Sequence, residues 1–187
     1  MSLPIRKLII FTRLPRAGRS KTRLIPALGA EGAARFHDRL ARHTLGRAAE
    51  FCRSGDVQLV IQLDCGTPDD GMAWLGNHDF REQGQGHLGE RLDRAVRAAF
   101  AEGAQRVVVI GTDCPGLDQA ILADAFGMLH DFPVVFGPAH DGGYYLVGLS
   151  ELNSHVFKDI EWGGSQVFAQ SLAAAEIALG ASPRPAP

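Results

Sequence analysis

Short runs of branched apolar residues alternate with stretches whose apolar positions recur every three or four residues, and this alternation continues along most of the chain. Lys7 to Thr12 reads as a first strand. Arg13 to Leu28, rich in proline, glycine and cations with no steady period, reads as loop. From about Glu31 the positions Ala33, His37, Leu40, Thr44, Ala48 and Phe51 keep helical spacing, so a long helix is expected to end around Arg53-Ser54-Gly55. Val57 to Leu63 supplies a second strand. Thr67-Pro68-Asp69-Asp70 combines a capping hydroxyl, a proline at the first helical position and two first-turn acids, which predicts a short helix to Leu75. A brief strand is expected from Phe80 to Gln83. The stripe Leu88, Leu92, Ala95, Val96, Ala99 and Phe100 then predicts an amphipathic helix that stops at Gly103.

Arg106 to Gly111 reads as a strand, Leu117 to Leu129 as a helix and Pro133 to Gly137 as a strand. Tyr144 to Leu149 is a further strand, and the glycines before it allow a turn back along the sheet. Ser165 to Leu179 is the last helix. Strands alternating with helices predict an α/β fold, a three-layer α/β/α arrangement whose mostly parallel sheet carries helices on both faces. With no internal repeat or interdomain linker, residues 1–180 are expected to form a single domain, and 181–187 a disordered tail. Ligands of such sheets sit at the carboxyl ends of the strands. If their strands are parallel, the loops after Thr12, Gly111 and Gly137 leave at that edge, and Lys21, Asp113 and Asp141 converge there.

Composition narrows the partner. The 187 residues are 45% hydrophobic and 21% charged with a formal charge of −2, enough apolar material for a full core and no global attraction to nucleic acid or anionic membrane. A small-molecule partner is expected, with homodimerisation left open. Cys52, Cys65 and Cys114 are far apart with no paired spacing, so neither a disulfide framework nor a thiolate zinc site is indicated. With no signal core and no membrane-spanning run, the expectation is a cytoplasmic protein.

Three loops carry candidate chemistry. Arg13 is followed by Leu14 to Leu24, a segment holding Arg16, Gly18, Arg19, Ser20, Lys21 and Arg23 directly after a strand. Glycine lets backbone amides approach phosphate oxygens while lysine and arginine neutralise charge; the alternative is a solvated basic loop. An ordinary P-loop is excluded, because Ser20 stands where glycine is required before the lysine, and Pro26 is ill-suited to the helix a P-loop opens. Asp113 closes a buried strand and is stiffened by nearby Pro115. Such a carboxylate suits a hard divalent cation, Mg²⁺ or Mn²⁺, although it would equally cap a turn. Asp141-Gly142-Gly143 pairs an acid with backbone able to approach a ligand, and Tyr144 or Tyr145 would lie against a sugar or base; the alternative is a simple aspartate-glycine turn. Cys114 is read as a packing residue, and the histidines show no metal spacing.

Together, Phe11 through Leu24 with Lys21-Thr22-Arg23-Leu24, Leu88-Gly89-Glu90-Arg91-Leu92, Gly111-Thr112-Asp113-Cys114-Pro115, Gly137 through Leu146 and Ile160-Glu161-Trp162 resemble a bacterial family, the radical-SAM/selenodomain-associated transferases. Some of its members are labelled arsenosugar-biosynthesis glycosyltransferases. The resemblance runs from about Leu8 to Phe168. It implies the nucleotide-diphospho-sugar transferase (GT-A) fold, similar in outline to molybdenum-cofactor and 2-phospho-lactate guanylyltransferases, and a nucleotide or nucleotide-sugar substrate. By the same resemblance Lys21 and Arg23 contact phosphates, Asp113 holds the metal, and Asp141 with Gly142 and Gly143 borders the acceptor or sugar. Two departures are visible: Thr12-Arg13 replaces a small residue and lysine, keeping the charge, and Ser182-Pro183-Arg184-Pro185-Ala186-Pro187 stands where relatives carry a strand and an Asp-x-Asp-Thr-Pro-like segment. The implied activity is metal-dependent sugar transfer from a nucleoside-diphosphate donor to a small-molecule acceptor. Nucleotidyl transfer with release of pyrophosphate, or a nucleotide-binding module with impaired catalysis, are the alternatives.

Overall fold

A computed structural model describes residues 5–54, 56–179 and 184–185. In chain order the elements are β1 (Arg6–Arg13), a 3-10 turn (Thr22–Leu24), α1 (Ile25–Phe51), a 3-10 turn (Cys52–Ser54), β2 (Val57–Asp64), α2 (Pro68–Leu75), β3 (Asp79–Glu82), α3 (Leu88–Ala101), β4 (Arg106–Ile110), α4 (Gln119–Met128), β5 (Val134–Pro138), β6 (Tyr144–Leu149), a 3-10 turn (Ser154–Phe157), α5 (Val167–Leu179) and β7 (Arg184–Pro185). The strands lie in one sheet in the order β3-β2-β1-β4-β6-β5-β7. β1 runs parallel to β2 and β4, and β3 is parallel to β2. β6 is antiparallel to both β4 and β5, so β5 points the same way as β4. The expected α/β class, its mostly parallel sheet and the reversal at β6 are all present.

The period-2 alternation sorts the branched residues between two cores. Leu8, Ile10, Val108 and Ile110 pack on the face covered by α1 and α4, where Leu45, Ala48, Leu122, Ala125 and Phe126 meet them. Ile9, Val107, Val109, Val134 and Phe136 point to the other face, against Leu92, Ala95, Val96 and Ala99 of α3 and Ala175 of α5. With both faces covered, β1 and β4 read as continuous apolar runs. The cap before α2 forms as its sequence predicts: the Thr67 hydroxyl accepts from the Asp70 amide while the Asp70 carboxylate accepts from the Thr67 amide.

Two expectations need adjustment. The stretch from Arg13 to Leu28 is not loop throughout, because a 3-10 turn and the first turn of α1 begin within it. Pro26 sits in that first turn, where its missing amide costs nothing, and Gly29, at φ 70° and ψ 166°, breaks the helix just before the expected start at Glu31. Of the tail expected to be disordered, Arg184–Pro185 instead run parallel to β5 as a short strand, satisfying backbone groups that an edge strand leaves unpaired; the rest of 181–187 lies outside the described residues. Among the described residues no helix is long and apolar enough to cross a membrane.

One ion cluster ties β1 to the far end of α3. Lys7, buried in the sheet, donates its ammonium to the Glu102 carboxylate, and Arg81 Nη1 donates to the other Glu102 oxygen at 2.5 Å. The hydrogen bonds from Arg81 and Lys7 pull the Glu102 carboxyl down to about 2. A carboxyl depressed by folding stabilises the native state fully above its unfolded pKa and loses that contribution as pH falls toward its folded one. Wild-type melting temperature should therefore drop more steeply between about pH 4.5 and pH 2 than that of Glu102→Gln. At pH 7 the variant should melt lower, because Lys7 loses its counter-charge; thermal melts across pH check both.

Candidate active site

The ends of β1 and β4 meet because the strands pair in register, Ile10 opposite Ile110. Just beyond, the buried hydroxyls of Thr12 and Thr112 lie 3.5 Å apart. The loop after β1 is organised by Ser20, whose fully buried hydroxyl donates to the Leu14 carbonyl and accepts from the Arg16 amide, both at 3.0 Å. Lys21 then takes a left-handed conformation, φ 51° and ψ 46°, costly for a residue with a Cβ. Its carbonyl is held at 2.8 Å by the Leu24 amide, and its ammonium reaches Asp113 Oδ1 at 2.6 Å. The turn carrying Asp113 is pinned from α1, where His43 Nε2 donates to the Pro115 carbonyl at 3.1 Å.

A second charged group stands beside the first. Arg13 and Asp64, opposite each other in the β1–β2 register, form an ion pair at 2.6 Å, and Arg91 from α3 approaches the other Asp64 oxygen at 3.4 Å. Partial burial opposes ionisation of Asp64, yet the Cys65 thiol and the Arg13 and Arg91 guanidiniums outweigh it and hold the carboxyl below its usual range. Gln83 locks the arrangement, donating to the Thr12 and Gln62 carbonyls and accepting from Arg91. The Nε of Arg91 is buried without a hydrogen-bond partner. His37 Nε2 donates to the Arg13 carbonyl at 2.9 Å and so fixes the end of β1 from α1.

The turn between β5 and β6 forms the third wall. The Asp141 carboxylate accepts from the Gly143 amide at 3.0 Å. Gly142 faces away from this wall and braces α5: its carbonyl accepts from the Phe168 amide at 2.9 Å, and at φ 86° a Cβ there would lie 1.9 Å from the Ser165 carbonyl oxygen. The Tyr144 ring packs 5.1 Å from Phe136 and 6.2 Å from Trp162. Burial pushes its phenol above the usual range, with the Ser171 hydroxyl opposing in part.

These walls enclose a cleft of about 850 Å³. Of the predicted site residues, Arg13, Lys21, Asp113, Asp141, Gly143 and Tyr144 line it. Gly18 and Arg23 do not; both stand exposed on the outer part of their loop, and Gly142 serves α5. The sequence reading passed over Asp64, Gln83, Arg91 and His37 as site residues. Asp64 had the same signal as Asp113, an acid closing a buried apolar strand. Through Asp64 and Arg91 the cleft adjoins a second hollow of about 560 Å³ over Cys65-Gly66-Thr67 and Gly84-Gln85-Gly86.

Asp113 and Asp141 offer hard oxygen donors of the kind Mg²⁺ and Mn²⁺ prefer. Among the described residues no group of three or more His, Cys, Asp or Glu side chains stands ready to hold a metal ion. The donors present fit an ion that takes the rest of its shell from substrate oxygens and water.

The sheet order, the reversed β6 and a charged cleft at the carboxyl edge define a protein with the nucleotide-diphospho-sugar transferase fold. The chain belongs to the family described as an uncharacterized protein conserved in bacteria (DUF2064), matched over residues 44–164. It is similar to a Desulfovibrio desulfuricans G20 protein described as a candidate nucleotide-diphospho-sugar transferase, with a TM-score of 0.87 and 30% identity over 96% of this chain and 79% of that one. It shares its fold with Rv0371c of Mycobacterium tuberculosis H37Rv, at TM-score 0.59 and 18% identity over 99% and 88% of the two chains; another structure of that protein is a complex with manganese. 4-Diphosphocytidyl-2C-methyl-D-erythritol synthase of Anaerococcus prevotii DSM 20548 also has the fold, at TM-score 0.61 and 8% identity over 100% and 90%. No curated protein matches the chain.

The brace at Gly142 generates a stability prediction. Gly142→Ala combines a left-handed backbone with a collision against main chain, and should cost about 3 kcal/mol of unfolding free energy. That corresponds to a fall of roughly 10 °C in melting temperature for a chain this long. Gly18→Ala, at φ 76° with open space around the added Cβ, should cost about 1 kcal/mol; paired thermal melts decide.

Proposed function

We propose that this protein is a metal-dependent glycosyltransferase that moves a sugar from a nucleoside-diphosphate donor to a hydroxyl of a small-molecule acceptor. The observation that carries the reading is the 2.6 Å pair between Lys21 and Asp113, a phosphate-seeking cation and a cation-seeking carboxylate at one point of a cleft large enough for such a donor. The narrower likeness to the radical-SAM/selenodomain-associated transferases belongs to the same reading.

In this reading Asp113 would hold Mg²⁺ or Mn²⁺, the rest of the ion's shell coming from substrate oxygens and water. A bound divalent ion would neutralise phosphate oxygens and stabilise the charge that develops on the departing nucleoside diphosphate. Lys21 supplies a fixed positive charge to the same oxygens, and the Arg13 and Arg91 guanidiniums offer paired donors beside it. The bond from the anomeric carbon to the diphosphate oxygen breaks, and a bond from that carbon to the acceptor oxygen forms. The Asp141 carboxylate, oriented by the Gly143 amide, takes the hydroxyl proton. The nucleoside extends toward the second hollow beyond Asp64.

A second reading, nucleotidyl transfer, is favoured by the fold shared with the diphosphocytidyl-methylerythritol synthase. There the acceptor attacks the α-phosphate of a nucleoside triphosphate and pyrophosphate departs, using the same cations. Incubation with labelled nucleotide sugars and, separately, nucleoside triphosphates, each with and without Mg²⁺, separates the two. Metal-dependent release of nucleoside diphosphate is the expected result, pyrophosphate release identifies the second reading, and no product of either kind refutes both. Lys21→Ala and Asp113→Ala should each lower turnover by about 100-fold or more, the scale of losing one preorganised charge at a developing anion.

A further inference from the structure

We infer that Lys21 is a built-in stand-in for the metal ion, holding Asp113 until cation and nucleotide arrive together, so that the two ligands bind with strong mutual dependence. The inference rests on the metal–nucleotide site proposed above and adds how that site is loaded.

Two observations carry it. First, Lys21 Nζ lies 2.6 Å from Asp113 Oδ1, so an entering divalent ion meets a carboxylate oxygen already engaged by a positive charge. The contact is built in by the backbone: Lys21 is held in a left-handed conformation, its carbonyl tied to the Leu24 amide, while the Ser20 hydroxyl anchors the loop behind it. The strain of that conformation is the kind a fold retains where it aims a side chain.

Second, the full charges lining the cleft balance: Arg13, Lys21 and Arg91 against Asp64, Asp113 and Asp141. Each cation is already engaged, Lys21 by Asp113 and both arginines by Asp64. A nucleoside diphosphate by itself therefore meets no surplus of positive charge and must compete with carboxylates for every cation. A metal ion by itself must expel an ammonium and leave it without a partner. When both arrive, the ion takes Asp113 and the freed ammonium of Lys21 turns to a phosphate oxygen, so Asp113, Lys21 and the ion each end beside an opposite charge. Each ligand thus removes the obstacle to the other, and such coupling is reciprocal by thermodynamic necessity.

The test is Mn²⁺ binding by the intact protein, read from the electron paramagnetic resonance of the free ion, alone and with saturating UDP, GDP, ADP or CDP. Wild type should bind Mn²⁺ alone weakly, and about tenfold or more tightly with a diphosphate that occupies the cleft, within the usual range of coupling between sites. Lys21→Met removes the stand-in. It should bind Mn²⁺ alone about five- to tenfold more tightly than wild type, with the diphosphate adding correspondingly less. Lys21→Arg, which keeps a cation on Asp113, should stay near wild type, and Asp113→Asn should abolish Mn²⁺ binding; circular dichroism confirms that each variant is folded. Unchanged or weaker Mn²⁺ binding by folded Lys21→Met overturns the inference. If no diphosphate changes Mn²⁺ affinity while Lys21→Met still binds the ion more tightly, the stand-in is upheld and the nucleotide reading falls.

Discussion

The parallel pairing of β1 with β4 is the constraint on which the rest of the molecule rests. Ile10 sits opposite Ile110, so the chain leaves both strands at the same height and on the same edge. Lys21 and Asp113, more than ninety positions apart along the chain, meet there because hydrogen bonds slanting between two buried strands permit a single register. A slip of one residue would turn every branched side chain of β1 to the wrong core. Burial of Leu8, Ile9 and Ile10 therefore sets the position of the charges as well as the stability of the sheet.

The same register explains the second charged group. Arg13 and Asp64 are direct neighbours across β1 and β2, and α3 brings Arg91 to the far side of Asp64. Carboxylates and cations so arranged shield one another in the free protein, so five of the cleft's six formal charges stand paired there. In the function proposed above, incoming anions and cations would exchange with these internal partners.

Support from behind the cleft is continuous with the core. His37 and His43 of α1 hold the ends of β1 and of the β4 loop by hydrogen bonds to the Arg13 and Pro115 carbonyls. Gly142 joins the β5–β6 turn to the start of α5. These contacts give the three loops rigid backing, which a site that depends on preorganised charge requires.

Strands and helices were legible in the chain because a period of two or of 3.6 residues is a local property, and so were the α2 cap and the breaks at glycine. Lys21, Asp113 and Asp141 could be picked out by one further local rule, that chemistry follows the carboxyl ends of buried strands. Asp64 obeyed that rule and was overlooked, since its role appears only once β1 lies beside it. Arg91 and His37 lie on helices, where sequence spacing alone does not say which residue faces a neighbouring loop. Gly142 resembled a ligand-approach glycine, and its carbonyl also holds the start of α5, a contact that local pattern does not reveal. Residue type and periodicity thus determined the elements and the candidate charges. Strand order and register, which arise from burying both faces of the sheet at once, decided which charges meet.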